Sequence, residues 1–263
     1  MQKSETAFQF RGETDSLKRK GAPTIPGGRG SLEPEIIYKD SEILVIDKPA
    51  GLLAVPIGGS RAPSAQKLLL EKLSKGGSYL FPVHRIDRYT SGLMVFARTR
   101  HAMSHLARQF RSHSPRRIYL AIVRGGPVHD QGEFRDWLKL VKRGFRQLVV
   151  GEGEGGTLAI TRFKVLERFE AATLLEAQLI TGLKNQIRAQ FAHHGMALWG
   201  DRHYSPSERW TQEMDRQALH SWRLGFVHPK SGKYVEFECP PPEDFKRLLE
   251  RLRQRGHAGS SGR

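Results

Sequence analysis

Short apolar runs separated by turns constrain the fold of this chain more than any other feature. Several runs rich in Ile, Val, Leu and Phe have the length and composition of β-strands. Between Gly144 and Ile180, further β-rich runs flank a glycine-rich turn at 151–156 and predict a meander of antiparallel strands. The other predicted strands are Glu35–Tyr38, Ile43–Ile46, Gly92–Ala97, Ile118–Val123, Ala218–Val227 and Tyr234–Glu238.

Four segments have the apolar spacing of helices instead. They do not alternate with the strands in a regular βαβ period, and the chain has no internal repeat. The sequence therefore predicts an α+β fold, in which helices flank an antiparallel-rich mixed sheet, rather than a doubly wound parallel sheet. The predicted helices are Pro63–Lys75, His101–Ser112, Gln186–His194 and Glu243–Arg255.

Composition divides the chain into one domain and two tails. Residues 1–33 are polar and predict a flexible N-terminal tail, whereas residues 255–263 are rich in Gly and Ser and predict a flexible C-terminal tail. The remaining residues, 34–254, are numerous enough to bury one core without a disulfide or a structural metal. We expect this single domain to be a monomer.

The single cysteine, Cys239, cannot form an internal disulfide, which favours a reducing compartment. Acidic residues near the start of the chain argue against a signal or transit peptide. No apolar run is long enough to span a bilayer. We therefore expect a cytoplasmic protein without membrane attachment.

The charge of the chain points to a polyanionic partner. Its formal net charge is +16 and its isoelectric point is near 10.3. A field of this strength attracts nucleic acid. A solvated basic surface, or contact with an anionic membrane, remains the alternative at this stage.

The sequence contains patterns found in cofactor and metal sites, but the residues around each pattern do not fit such a site. The glycine-rich run 151–156 matches GxGxxG, but a strand-like run rather than a helix follows it, so a hairpin turn is predicted. His101 and His105 have a spacing that metals use, yet no third ligand accompanies them. Cys239 precedes three prolines with no neighbouring histidine and predicts a buried small residue. We expect neither a cofactor nor a metal.

The segment His84–Leu93 contains the most informative carboxylate. Asp87 stands between Arg85 and Arg88, immediately before a turn of small residues that leads into an apolar strand. Nearby positive charge favours the ionised form of a carboxylate, which can then act as a nucleophile or a base. Such an Asp can equally form a purely structural ion pair.

This segment resembles the motif His-Arg-Leu-Asp-x-x-Thr-Ser-Gly-Leu, which surrounds the catalytic aspartate of RluA-family pseudouridine synthases. Ile86 is the only change at its fixed positions. Similar motifs follow the family's order, and the resemblance extends from about residue 35 to residue 245. These motifs are Asp47–Gly51, Tyr119–Ala121 with Gly125, Gln186–Arg188, Gly200–Asp201 and Ala218–Pro229.

The resemblance implies a pseudouridine synthase fold with a central active-site cleft and an RNA-modifying isomerase that flips its target uridine out of the stack. Asp87 is then the catalytic carboxylate, adding to the nucleoside or taking a proton from the sugar. Arg188 pairs with Asp87 through a two-bond fork and keeps it charged. Tyr119 stacks on the base and assists proton removal from C5, Ile187 packs against the base, and Arg85 fills the vacated stack.

One motif departs from the family. Its usual Thr-Gly-Arg-Thr-His-Gln-Ile-Arg is here Thr181–Arg188, with Leu183 for Arg and Asn185 for His. We expect Lys184 and Asn185 to contact RNA and to alter target choice, because Lys can hold a phosphate and Asn can hydrogen-bond a base edge.

The resemblance favours a stem-loop of large-subunit ribosomal RNA as the target, with transfer RNA as the second candidate. The departure at 183–185 keeps a non-catalytic RNA-binding factor with the same fold as an alternative. A carboxylate-based glycosidase would need a second acid near Asp87, which the sequence does not identify.

Overall fold

In a computed structural model of the chain, the structure describes residues 24–25, 28–73, 79–141, 146–205 and 213–258. The predicted N-terminal tail lies largely outside these ranges, but Thr24–Ile25 and Gly28–Ser31 within it pair as antiparallel strands. Helix Glu243–Ala258 extends past the predicted start of the C-terminal tail at residue 255. The flexibility of both tails stays a prediction.

The elements alternate irregularly along the chain. None of the helices within the described ranges is long and apolar enough to cross a bilayer. The strands are β1 (Thr24–Ile25), β2 (Gly28–Ser31), β3 (Glu35–Lys39), β4 (Ile43–Lys48), β5 (Phe81–Pro82), β6 (Ser91–Ala97), β7 (Arg116–Arg124), β8 (Gln131–Val141), β9 (Arg146–Val150), β10 (Thr157–Arg168), β11 (Ala172–Leu179), β12 (Leu219–Val227) and β13 (Tyr234–Glu238), and the helices are α1 (Ala65–Leu73), α2 (Arg100–Arg111), α3 (Gln186–His193) and α4 (Glu243–Ala258).

Eleven of these strands form one open mixed sheet in the order β3-β4-β6-β12-β7-β11-β10-β8-β9, with β13 paired to β12 and β5 paired to β6. Strands β6 and β12 run parallel, and the other pairs among the described strands are antiparallel. The predicted α+β class with an antiparallel-rich mixed sheet is therefore confirmed.

Alternation along the central strands packs helices on both faces of the sheet. Leu44 and Ile46 of β4 join a cluster with residues of α1 and α3, whereas Ile43 and Val45 join a cluster with residues of α2. On β7, Ala121 belongs to the first cluster, whereas its neighbours Leu120 and Ile122 pack with α4. This side-chain period of two is what a strand buried on both faces requires.

The sheet opens beside β6. This strand pairs with β12 only over Ser91–Gly92, and at its far end it pairs with β5. The segment 83–90, which carries Asp87, connects β5 to β6. Only glycine fits at position 92, because φ is +110° there and a Cβ would collide with the backbone of Ser221. The close approach of the two strands fixes the end of the Asp87 loop.

The sequence assigned no element to β8, and this strand is an addition to the prediction. The predicted meander is confirmed only for the adjacent antiparallel strands β10 and β11. The hairpin turn predicted at 151–156 is wrong, because this run connects β9 to β10 while β8 lies between those two strands in the sheet. The first two residues of that predicted meander, 144 and 145, lie outside the described residues.

Candidate active site

The loop that carries Asp87 is fixed by a buried lysine. The ammonium group of Lys48 donates hydrogen bonds to the carbonyls of Pro49, Leu52 and Arg88 at 2.9, 2.9 and 3.0 Å. Arg88 in turn donates from Nε to the Gly51 carbonyl at 2.8 Å. Burial, together with the charge of Arg216, lowers the pKa of Lys48 to about 7. The three carbonyls use all three N–H donors of the protonated form.

Further contacts hold both ends of the loop. The guanidinium of Arg216 donates to the Tyr89 carbonyl at 3.2 Å, and the Thr90 N–H donates to the Asp87 carbonyl at 3.1 Å. At the other end, Nε2 of His84 accepts a hydrogen bond from the Val95 N–H at 3.0 Å. Burial, with a contribution from the charge of Arg117, lowers the pKa of His84 to about 3, so the ring is neutral and suited to accept. Asp87 therefore stands on a rigid loop.

Arg188 of α3 contacts two carboxylates. It donates from Nη1 to Oδ2 of Asp87 at 3.1 Å, and from Nε and Nη2 to Asp201 at 2.7 and 2.9 Å. The expected two-bond fork on Asp87 is wrong, because Asp201 occupies that edge of the guanidinium. Burial opposes the charge of Arg188, but the hydrogen bonds and charge of Asp201, with the charge of Asp87, raise the pKa of Arg188 above its ordinary value. The guanidinium of Arg188 therefore stays protonated at physiological pH.

Asn185 also touches Asp87. With its amide nitrogen turned toward the carboxylate, Nδ2 donates to Oδ2 at 2.7 Å and to Oδ1 at 3.0 Å. The opposite orientation would set the amide oxygen against both oxygens of Asp87 and would gain only a 3.3 Å hydrogen bond from Nη1 of Arg188, so the hydrogen-bond network favours this one. The backbone of Asn185 is left-handed, with φ +53° and ψ +20°, immediately before α3. Asn tolerates this region better than most residues.

Tyr204 supports both Asn185 and Arg188. Its hydroxyl hydrogen-bonds to the amide of Asn185 and accepts the Gln147 N–H of β9 at 2.9 Å. The guanidinium of Arg188 lies over its ring, 5.2 Å from the centroid. Leu183 and Tyr204 both pack against the same small apolar cluster. The divergent motif therefore forms a connected unit beside Asp87.

Tyr119 lies on β7 on the same side as Arg117, and both line the cavity that contains Asp87. The side chain of Tyr119 is buried and its hydroxyl hydrogen-bonds to Ser221. Burial raises the pKa of Tyr119, although the positive charge of Arg117 and the bond to Ser221 oppose this shift. The phenol is therefore neutral at physiological pH.

A cavity of about 620 Å³ joins these side chains, which is large enough for a nucleotide. All seven predicted site residues line it. Arg85 and Lys184 are exposed at its rim, and Ile187 is buried in the wall. The seven are Arg85, Asp87, Tyr119, Lys184, Asn185, Ile187 and Arg188.

The candidate metal and thiol positions lie elsewhere. The rings of His101 and His105 are 6.4 Å apart, and within the described ranges no group of three or more His, Cys, Asp or Glu side chains could hold a metal ion. Cys239 is buried, and burial raises the pKa of its thiol. Neither feature adjoins the cavity.

Two kinds of residue escaped the sequence analysis. Asp201 and Lys48 belong to motifs that it identified, but no role was assigned to either. Tyr204 and Arg216 carried no signal, because their partners lie far away in the chain.

Comparison with known proteins places this arrangement in a family. Residues 42–193 match the family model described as RNA pseudouridylate synthase. A Bacillus subtilis protein named uncharacterized RNA pseudouridine synthase YlyB is 38% identical over 230 residues, which cover 86% of this chain and 75% of the relative. Ribosomal large subunit pseudouridine synthase D of Pseudomonas aeruginosa is 37% identical over 240 residues, covering 85% and 73%.

Among solved structures, human RNA pseudouridylate synthase domain containing 4 superposes with a TM-score of 0.67 at 23% identity, over 83% of this chain and 93% of the other. The fold is therefore that of a pseudouridine synthase. The family model and the relatives go further, and the chain belongs to the RNA pseudouridylate synthase family. The resemblance to RluA-family enzymes is confirmed.

Proposed function

We propose that the protein is an RNA pseudouridine synthase that isomerises uridines in large-subunit ribosomal RNA. The observation that carries the proposal is Asp87, fixed on a rigid loop and bonded to Arg188 and Asn185 inside a nucleotide-sized cavity. The target class comes from relatives such as the Pseudomonas aeruginosa enzyme, which is named for the large ribosomal subunit. Transfer RNA is the second candidate.

The reaction breaks the bond from ribose C1′ to uracil N1, rotates the base and forms a bond from C1′ to C5, while C5 loses a proton and N1 gains one. The uridine must first leave its stack to reach Asp87. In the proposal, the hydrogen bond from Nη1 of Arg188 and the amide of Asn185 hold the Asp87 carboxylate in a fixed orientation toward the nucleoside. Asp87 then adds to the nucleoside or removes a proton from the sugar.

Tyr119 and Ile187 form the proposed wall for the flipped base. The neutral phenol of Tyr119 offers a flat surface for stacking and an oxygen that assists removal of the C5 proton. Ile187 adds apolar contact. Arg85, exposed at the rim, is placed to stack where the uridine stood. Lys184, also at the rim, is placed to contact a phosphate.

The alternative is a factor that binds RNA without turnover, suggested by the departure at 183–185. The contact of Asn185 with Asp87 argues against it, since the departing residue still serves the carboxylate. The proposal includes a cytoplasmic location and a monomeric state. Gel filtration of the purified protein checks the monomeric state.

Tritium release from RNA labelled at uridine C5 tests the proposal. The enzyme must release tritium as the new bond forms at C5, and a ribosomal RNA transcript should be a better substrate than a transfer RNA transcript. RNA binding without release would establish the non-catalytic factor instead.

A further inference from the structure

One face of helix α2 carries a row of exposed arginines. Arg100, Arg108 and Arg111 are exposed and follow the helical spacing of i, i+8 and i+11, with exposed Ser104 between the first two. This spacing places the four residues on one side of the helix. At the ordinary helical rise, the row extends over about 16 Å. The twelve residues of α2 include no Asp or Glu.

The arginines of this row differ from several exposed arginines elsewhere in the fold that form ion pairs. Arg116, Arg162 and Arg253 each form an ion pair with a glutamate at 2.7 to 2.8 Å. By contrast, no Asp or Glu among the described residues lies within ion-pair distance of Arg100, Arg108 or Arg111. Their charges are therefore open to an external anion.

Helix stability does not account for the row. The helix dipole favours Arg108 and Arg111 in the last turn, but it disfavours Arg100 in the first. Arg108 and Arg111 are also three residues apart on one face, where like charges repel. A binding function explains the row better than a contribution to folding.

The row leads directly into the cavity of the candidate active site. Arg111 lines that cavity together with Ala107, Phe110 and Asp87. His113, exposed in the turn after the helix, lines it as well. A strand whose nucleotide occupies the cavity thus meets the arginines as soon as its backbone leaves the site.

We infer that α2 binds the phosphate backbone of the RNA strand next to the target uridine, through Arg111, Arg108 and Arg100 in that order from the cavity. This inference rests on the proposed function for its substrate class. RNA is favoured over an anionic membrane because the residues exposed between the arginines, His101 and Ser104, offer no large apolar side chain for insertion into lipid.

The test compares two charge-matched triple variants. One carries Arg100→Gln, Arg108→Gln and Arg111→Gln on α2. The control carries Lys246→Gln, Arg247→Gln and Arg251→Gln on α4, which is also an exposed basic surface but contributes no described residue to the cavity. Affinity for a large-subunit ribosomal RNA transcript is measured from low to high salt, with unfolding curves to verify that both variants fold.

The α2 variant should bind at least about tenfold more weakly than wild type at moderate salt, and its slope of log affinity against log salt should be shallower by about two. The α4 variant should remain near wild type. An equal loss in both variants would mean that only the overall field attracts RNA and would overturn the inference. Unchanged RNA affinity in the α2 variant would also overturn the inference. The same holds if that variant loses only its binding to vesicles of anionic lipid.

Turnover is measured separately with the same proteins. Binding and turnover separate the two claims: failure of the wild type to release tritium speaks against the proposed function, whereas the affinity comparison alone decides the role of α2.

Discussion

The carboxylate of Asp201 accepts two hydrogen bonds from Arg188, at 2.7 Å from Nε and 2.9 Å from Nη2, and its side chain is completely buried. The same carboxylate accepts the backbone N–H groups of His203 and Tyr204. It therefore fixes the plane of the guanidinium and leaves Nη1 for Asp87. Gly200 supports this turn, since its φ of +74° and its contact with the Arg216 backbone exclude any side chain.

Replacing Asp201 by Asn should impair both stability and turnover. The change removes the main counter-charge of a buried guanidinium, which costs roughly 3 kcal/mol of unfolding free energy. It also frees Arg188 to rotate away from Asp87, so kcat should fall at least about tenfold. Urea unfolding and tritium release measure the two effects. Wild-type values for both would remove Asp201 from the site.

Arg188→Lys should lose most of the activity even though it conserves the charge. An ammonium group cannot bridge Asp87 and Asp201 with the fixed geometry of a guanidinium. RNA affinity should stay within a few-fold of wild type, because Arg188 is largely buried, with 11% of its side chain exposed. A folded Arg188→Lys protein with wild-type kcat would contradict the assigned contact.

Asn185 distinguishes a positioning role from direct RNA contact. If its amide holds Asp87, Asn185→Ala should lower kcat about tenfold and leave KM near wild type, since the lost bonds are to the carboxylate. Tyr204→Phe should lower kcat less, because it removes only the hydroxyl that orients the amide. Should Asn185→Ala instead raise KM or change the uridine that is modified, with kcat intact, the earlier prediction of an RNA contact would be the correct one.

Two neutral histidines should make the fold sensitive to mild acid. Burial lowers the pKa of His84 to about 3 and that of His220 to about 4, both below the ordinary value of 6.5. Below pH 6.5 the unfolded chain therefore binds protons that the folded chain does not, and stability should fall as pH decreases from 6.5 toward 4.

Unfolding free energies measured from pH 7 to pH 4 check this dependence. His220→Gln should flatten the slope, because burial is the main cause that lowers the pKa of His220 and a glutamine side chain does not titrate. A slope of the same steepness in the variant would exclude His220 as a source of the acid sensitivity.

The sequence predicted most of the strands and all four of the helices that the structure describes, because their apolar residues recur at the period of the element. It missed β8 because Glu133, Arg135 and Asp136 interrupt the apolar pattern. In the structure, Glu133 is paired with Arg135 and with Arg162 of the adjacent strand, and Asp136 binds Gln190 of α3. Those partners become apparent only when the strands are aligned.

The sequence predicted which residues belong to the candidate site, but it did not predict which of their side chains contact each other. The motifs identified Asp87, Tyr119 and Arg188, and all three line one cavity. The contacts among them depend on side chains that meet across long stretches of chain, as do Arg188 and Asp87, which are 101 residues apart. The spacing of residues in the sequence does not show which edge of a guanidinium contacts which carboxylate. The roles of Asp201 and Tyr204 could therefore be assigned only from the fold.

Pseudouridine formation by purified Asp87→Asn protein tests whether Asp87 is the catalytic carboxylate. The variant keeps the shape of the side chain but loses its charge, so tritium release from uridine-labelled ribosomal RNA should disappear while RNA affinity stays within a few-fold of wild type. Continued release by the folded variant, in a preparation free of wild-type enzyme, would contradict the assignment of Asp87 as the catalytic carboxylate.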